Sequence, residues 1–235
     1  MAYTNSSLVN YKRISPNKSK RTAKIDTITI HHMAGNLSVE SCGEVFAPTS
    51  RKASSNYGIG SDGRIGMYVE EKDMSWATSN SANDNRAVTI EVANNNTKTW
   101  SISNSAYKSL VALCVDICKR NGIAELKWKG DKNLVGKVDQ QNMTVHRWFS
   151  ATLCPGDYLY NLHSQIAKDV NAQLKKSSSK KLESGNDIVW ELMNGKHKIE
   201  IKEVDKAVRA LDKAKNNTEF LSLYWIIYKV VNGNG

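Results

Sequence analysis

Short β-branched runs alternate with longer helical patterns, and this alternation most constrains how the chain can fold. The runs "KIDTITIHH" (residues 24–32) and "RAVTIEVANN" (86–95) predict strands, because isoleucine, valine and threonine suit a pleated, buried surface. A helix is predicted from about Asn104 to Lys119, before Gly122. A second helix is predicted by apolar residues recurring every four positions, at Leu162, Ile166, Val170 and Leu174. The sequence therefore predicts an α/β domain, a mixed sheet covered by helices.

A composition change near residue 176 divides the chain. The stretch "KKSSSKKLESGN" (175–186) carries serine and lysine and almost nothing apolar, which is typical of a linker. We expect a domain at 1–175, a linker at 176–186 and a small all-α domain at 187–235, where three short segments have helical periodicity. Trp190, Tyr224 and Trp225 in this small domain either stack on a ligand or fill its core.

The net charge of +10 favours an anionic partner such as nucleic acid, an anionic membrane or an acidic polymer. Residues 1–185 carry 25 basic and 16 acidic side chains, so almost all of the excess lies there. The densest basic segment, "YKRISPNKSKRTAK" (11–24), lacks the interleaved aromatic residues of a single-strand-binding surface. Nucleic acid is therefore not the expected partner, and a solvated basic arm is the simpler interpretation.

The sequence lacks the features that are typical of membrane-spanning, secreted and disulfide-rich proteins. No apolar run reaches the roughly 18 residues of a membrane span. The first residues show no apolar segment behind a basic start, so we expect no signal peptide. The four cysteines form no CxxC pair, and Cys114 and Cys118, one helical turn apart, are expected to be buried thiols.

Two adjacent histidines, His31 and His32, end the first predicted strand in a chain with only five histidines. Side chains alternate across a strand, so only one of the two is expected to serve a given site. Farther along, "VHRWFSATLCPG" places His146 eight residues before Cys154. Two histidines and a cysteine can hold zinc and leave a fourth position open, as catalytic zinc sites do.

The motifs "TITIHHMAG", "NYGIGSDGRIGMYVEE", "NDNRAVTIEVAN" and "TVHRWFSATLCPG", in this order, resemble the zinc-dependent N-acetylmuramoyl-L-alanine amidases. That family also contains phage amidase lysozymes and peptidoglycan recognition proteins. The resemblance covers residues 22–175. It implies the amidase fold and zinc bound by His31, His146 and Cys154.

The resemblance also implies roles for two further residues. Glu91 matches an acidic residue near the metal and is the expected general base; the alternative is a strand glutamate paired with a turn or with Arg86. Thr152 stands where some relatives have lysine and is expected to donate a hydrogen bond to the developing oxyanion.

Besides Thr152, two positions depart from the family pattern. Ser55 replaces a tyrosine that is catalytic in phage lysozymes, so Tyr57 is expected in the core. Ala77 replaces a histidine after Trp76.

The resemblance implies hydrolysis of the amide between the lactyl group of N-acetylmuramic acid and L-alanine in peptidoglycan. A phage or prophage endolysin is expected, held in the host cytoplasm until lysis and then acting on the cell wall. The helical domain would bind the wall, with oligomerisation as its alternative; the oligomeric state is not assigned. A non-catalytic peptidoglycan-binding module is the alternative for the whole chain.

Overall fold

The computed structural model describes residues 3–95 and 99–178, with side chains as far as Lys175. The predicted helical domain at 187–235 and most of the predicted linker lie outside these ranges. Within these ranges the chain forms eight strands: β1 Tyr11–Lys12, β2 Lys18–Lys20, β3 Thr27–His32, β4 Tyr57–Ile59, β5 Ile65–Met67, β6 Asp73–Ser75, β7 Ala87–Val92 and β8 Met143–Thr144. Four α-helices accompany them: α1 Val39–Phe46, α2 Ser81–Asp84, α3 Asn104–Asn121 and α4 Asp157–Ser178.

A six-stranded sheet in the order β1-β5-β4-β7-β3-β8 forms the centre of the fold. Only the β4–β5 pair is antiparallel, and the other neighbours run parallel. Strands β2 and β6 form a separate antiparallel pair. The predicted α/β class with a mixed sheet is thereby confirmed.

The two central strands, β3 and β7, are buried along nearly their whole length. Parallel strands covered on both faces read as continuous β-branched runs, which explains why both were visible in the sequence. Ile28, Ile30, Val88 and Ile90 are 0% exposed and form the middle of the core. This rigid pair fixes the position of the residues at its carboxyl end.

The helices begin and end where the sequence places their caps. The Ser103 side chain accepts a hydrogen bond from the Ala106 backbone N–H at the start of α3, and Gly122 ends that helix in a left-handed conformation (φ +68°). Cys114 and Cys118 are free, buried thiols on its inner face. Among the described helices, none combines the length and the apolar character that a membrane crossing demands.

Helix α1 was not predicted, because its eight residues contain serine, glycine and two glutamates. Its amino end is capped by Ser38, whose side chain accepts from the Ser41 N–H. The Tyr68 hydroxyl donates to the Val39 carbonyl at 2.8 Å and ties the helix to the sheet. The helix borders the cleft described below.

The basic segment 11–24 is a solvated arm only in part. Lys12, Arg13, Lys20 and Lys24 are exposed, as expected, but Arg21 is only 3% exposed. Its guanidinium donates five hydrogen bonds to backbone carbonyls, those of Glu71, Asp73, Asp84, Asn85 and Ala87. Arg21 therefore ties several segments of the fold together, and the expectation of a solvated side chain was wrong for this residue.

Replacing Arg21 with lysine should lower the free energy of unfolding by about 3 kcal/mol, because one ammonium cannot satisfy carbonyls arranged around a planar guanidinium. Denaturant unfolding at neutral pH measures the loss. The matched control is Arg13→Lys, whose half-exposed ion pair with Glu44 should contribute less than about 1 kcal/mol. Equal stability of the two variants would contradict this role of Arg21.

His163 on α4 should make the fold sensitive to acid. Its Nδ1 donates to the Leu159 carbonyl at 2.8 Å, its ring packs on Trp128 at 4.4 Å, and its buried Nε2 has no partner among the described residues. Burial lowers the pKa of His163 from 6.5 to about 4. The neutral ring is favoured by folding, so its contribution is present above pH 6.5 and is lost as the pH falls toward 4.

Between pH 6.5 and 4, the free energy of unfolding of the variant His163→Phe should fall by about 3 kcal/mol less than that of the parent chain. Unfolding curves at a series of pH values, with a chelator present, measure the difference from the parent chain. Parallel pH profiles for the two proteins would show that His163 is not the group responsible.

Candidate metal centre

The register of β3 and β7 places His31 beside Glu91. The two residues are direct partners in the parallel pair, so their side chains leave the sheet on the same face. The distance from His31 Nδ1 to Glu91 Oε1 is 3.9 Å. Carboxyl ends of parallel strands are common places for ligand sites in α/β sheets, and this pair lies at such an end.

His146 reaches the same place through β8, which pairs with β3 and leads into a single 3₁₀ turn, His146–Trp148. The loop that carries Cys154 folds back onto this turn. The Arg147 N–H donates to the Cys154 carbonyl at 3.0 Å, and Arg147 Nη2 donates to the Leu153 carbonyl at 2.7 Å. The peptide bond between Cys154 and Pro155 is cis. Arg147 thus holds the cysteine loop beside His146.

The structure brings His31, His146 and Cys154 together, with one potential ligand atom from each within 4.8 Å of the others. Cys154 Sγ lies 3.4 Å from His31 Nδ1, and the two imidazole rings are 5.1 Å apart between centroids. His31 is 1% and Cys154 5% exposed. The space between these three ligand atoms can hold only a small ion or molecule.

The protonation states of the two histidines favour the binding of a cation. Burial lowers the pKa of His31 well below its usual value, and the neighbouring His146 and His32 lower it further. Burial also lowers the pKa of His146. Both rings are therefore neutral near pH 7 and can present a lone pair to a metal.

Among the described residues, no charged group near Cys154 is strong enough to offset the effect of burial on the pKa of its thiol. Burial raises the pKa of Cys154, and the nearby Glu91 raises it further, while a hydrogen bond from the His32 backbone and the charge of Arg147 act in the opposite direction. A divalent cation would favour the thiolate and offset the cost of burying it.

Zinc fits this donor set. Two imidazoles and one thiolate are borderline-soft ligands that zinc accepts, and three protein ligands leave one coordination position for water or substrate. His31 Nε2 and Glu91 Oε2 are buried and have no hydrogen-bond partner among the described residues. Buried polar atoms without a partner beside a cluster of ligands are suited to interact with a bound ion or water.

A cleft of about 240 Å³ opens over the three ligands. Glu91 and Thr152 both line it, as does Arg51, a cationic residue that ends the 3₁₀ turn Thr49–Arg51 after α1. The Thr152 Oγ1 accepts from the Cys154 N–H at 3.2 Å, so its own proton remains available to a group in the cleft. Arg51 was not predicted, since an exposed arginine in a loop carries no distinguishing sequence signal.

Glu91 is the acidic group of the cleft. Burial raises its pKa to about 8, and Arg51 acts in the opposite direction. The alternative partner considered from the sequence, Arg86, instead donates to Asp26 at 2.9 Å. Glu91 therefore lacks the ion pair that would make it a structural residue.

The residues around the positions that depart from the family pattern lie either in the core or along the cleft. The Tyr57 hydroxyl donates to the buried Glu71 at 2.7 Å, and the ring is 0% exposed, which makes it a core residue. Ser55 is also buried, and its hydroxyl donates to the Tyr57 carbonyl at 3.0 Å. Trp76 and Ala77 line the cleft.

Comparison with known proteins gives a family and a fold. The family model described as N-acetylmuramoyl-L-alanine amidase matches residues 21–157. None of the curated proteins matches the chain.

Two solved structures share the fold. The structure of PlyL has a TM-score of 0.51 and 14% identity, covering 68% of this chain and 95% of its own. A mutant endolysin from Bacillus subtilis has a TM-score of 0.51 and 15% identity, covering 69% of this chain and 99% of its own. The matched family segment contains His31, Glu91, His146 and Cys154 and spans more than half of the sequence, so the chain belongs to the N-acetylmuramoyl-L-alanine amidases, hydrolases that act on peptidoglycan.

Proposed function

We propose that this amidase uses zinc held by His31, His146 and Cys154, with Glu91 as its general base and Thr152 as an oxyanion donor. The bond cleaved is the amide between the lactyl group of N-acetylmuramic acid and L-alanine. The observation that carries the proposal is the cluster itself: the carboxyl group of Glu91, 14% exposed, lies 3.9 Å from a histidine nitrogen that is 3.4 Å from a cysteine sulfur.

Zinc in this position would polarise the scissile carbonyl and lower the pKa of water toward about 7. Glu91 takes the proton from the attacking water and returns it to the alanine nitrogen as the amide bond breaks. Glu91 must be ionised to accept that proton, a form that a divalent cation beside it would favour. The effect of burial, which raises its pKa, then helps it to hold the proton between the two steps.

Thr152 supports the same step from the cysteine loop. Its oxygen already accepts the Cys154 N–H, so its hydroxyl proton points to another acceptor. As the carbonyl carbon becomes tetrahedral, negative charge develops on oxygen, and a prearranged donor stabilises it more than it stabilises the substrate. Thr152 contributes no charge, which leaves most of the stabilisation to the cation.

The biological role that we propose is that of an endolysin, made in the host cytoplasm and released onto the cell wall at lysis. The fold shared with an endolysin and the basic character of residues 1–185 support it, because walls with teichoic acids and stem carboxylates are polyanionic. Residues 187–235 would then bind the wall, a role that rests on their sequence alone.

Replacing Glu91 with glutamine should reduce turnover by about 10²- to 10⁴-fold while zinc stays bound, because the base is lost and the ligands are kept. Purified cell walls are incubated with the zinc-loaded protein. New L-alanine amino termini are counted against new reducing sugar ends, and zinc content is measured by elemental analysis. Cys154→Ser should lose both zinc and turnover.

Glu44→Gln, at an exposed glutamate outside the cleft, is the matched control and should retain full activity. Normal turnover by the Glu91 variant would rule out its role as base. Muropeptide binding by the parent protein with no new termini would instead favour the non-catalytic binding module.

A further inference from the structure

A second cavity borders the cleft and shares His32 with it. It has a volume of about 170 Å³, and we name it the Trp100 pocket after its aromatic residue. Its lining includes His32, Trp100, Arg147, Leu153, Gly156 and Asp157. None of these residues was given a catalytic or metal-binding role above.

The lining residues are sequence neighbours of the three proposed ligands. His32 follows His31, Arg147 follows His146, and Leu153 precedes Cys154. His32 also lines the cleft that contains Glu91, so the two cavities meet at this residue. A substrate whose amide lies over the ligands can therefore extend into both cavities.

Trp100 is held in an unusual position. Its backbone has φ +51°, in the left-handed region that bulky residues rarely adopt. Its indole packs on the His32 ring, with 4.7 Å between centroids and 33° between planes. Gly156 lies opposite, where an added Cβ would come 3.8 Å from Trp100 Cβ and 3.5 Å from His32 Nδ1. An outlying backbone combined with a ring held by packing favours a functional role for this residue.

The chemistry of the Trp100 pocket fits an uncharged ligand that has an apolar face and hydroxyl groups. Leu153 is 76% exposed although it is apolar, and it lines the pocket together with the indole. Arg147 Nη1 and Asp157 Oδ1 are 2.9 Å apart, so their charges compensate each other. Asp157 is 89% exposed and can accept hydrogen bonds from hydroxyls.

The cleft that contains Glu91 differs from the Trp100 pocket in its charge. Arg51 lines it without an ion-pair partner among the described side chains and places positive charge near Glu91. Stem peptides carry carboxylates, whereas the ring of an N-acetylated sugar is neutral. Charge therefore assigns the peptide flank to the cleft and the sugar flank to the Trp100 pocket.

We propose that the Trp100 pocket binds the N-acetylmuramic acid ring of the substrate, with Trp100 and Leu153 against the apolar face of the sugar. This inference rests on the proposed function, since it needs the scissile amide over the metal ligands. Trp100 is then a residue that selects glycan-linked amides over the same amides without a sugar.

Two substrates with the same scissile bond test the proposal. One is N-acetylmuramoyl-L-alanyl peptide, and the other is the D-lactoyl-L-alanyl peptide, which lacks the sugar ring. Trp100→Ala should lower kcat/KM about ten-fold or more on the muramoyl substrate and leave the lactoyl substrate unchanged, because remote binding energy is lost only where the sugar is present. Trp100→Phe should restore a large part of the loss.

The control is Ile14→Ala, which truncates another exposed apolar side chain, 45% exposed, outside both cavities. It should leave both substrates unaffected. Equal losses on both substrates in Trp100→Ala, or no loss on either, would overturn the proposal.

Binding is measured separately from turnover. Titration of the parent protein with the methyl glycoside of N-acetylmuramic acid, its lactyl carboxyl converted to the amide so that the probe is uncharged, should shift the Trp100 indole N–H resonance, assigned by its absence in Trp100→Phe. A shift in a protein that cleaves neither substrate would support the pocket and refute the proposed function. Cleavage of both substrates without a shift, and without selective loss in Trp100→Ala, would refute the pocket alone.

Discussion

The site depends on the in-register parallel pairing of β3 with β7. This pairing places His31 beside Glu91 on one face of the sheet, and the pairing of β8 with β3 brings His146 to the same edge. A shift of one residue in the register would send the Glu91 side chain to the opposite face. The buried isoleucines and valines of the two strands therefore fix the chemistry as well as the core.

Burial at this site disfavours the charged forms of the side chains, and the proposed chemistry depends on this effect. A thiol, a carboxyl and two imidazoles share a small, largely buried space, where burial disfavours the charged form of each. A divalent cation would reverse this balance for Cys154 and leave Glu91 as the group that exchanges protons. Arg147 supports the arrangement from outside, because it holds the Cys154 loop through two backbone carbonyls.

The fold class could be predicted because the central strands and the long helices have strong periodicity. Helix α1 could not, since its eight residues lack a clear apolar pattern and its position depends on the Tyr68 hydroxyl bond to Val39. The burial of Arg21 could not be predicted either, because the sequence of a basic segment does not distinguish a buried arginine from its exposed neighbours.

For the site, the four separated motifs gave the expected ligands and base through a family resemblance, and the structure brings those side chains together. Arg51 and the Trp100 pocket depend on loop conformations that no local pattern specifies. The most direct test of the central claim is zinc K-edge X-ray absorption on the zinc-loaded protein. The account predicts one sulfur at about 2.3 Å and two imidazole nitrogens at about 2.0–2.1 Å. A first shell without sulfur, or a protein that retains no zinc, would contradict it.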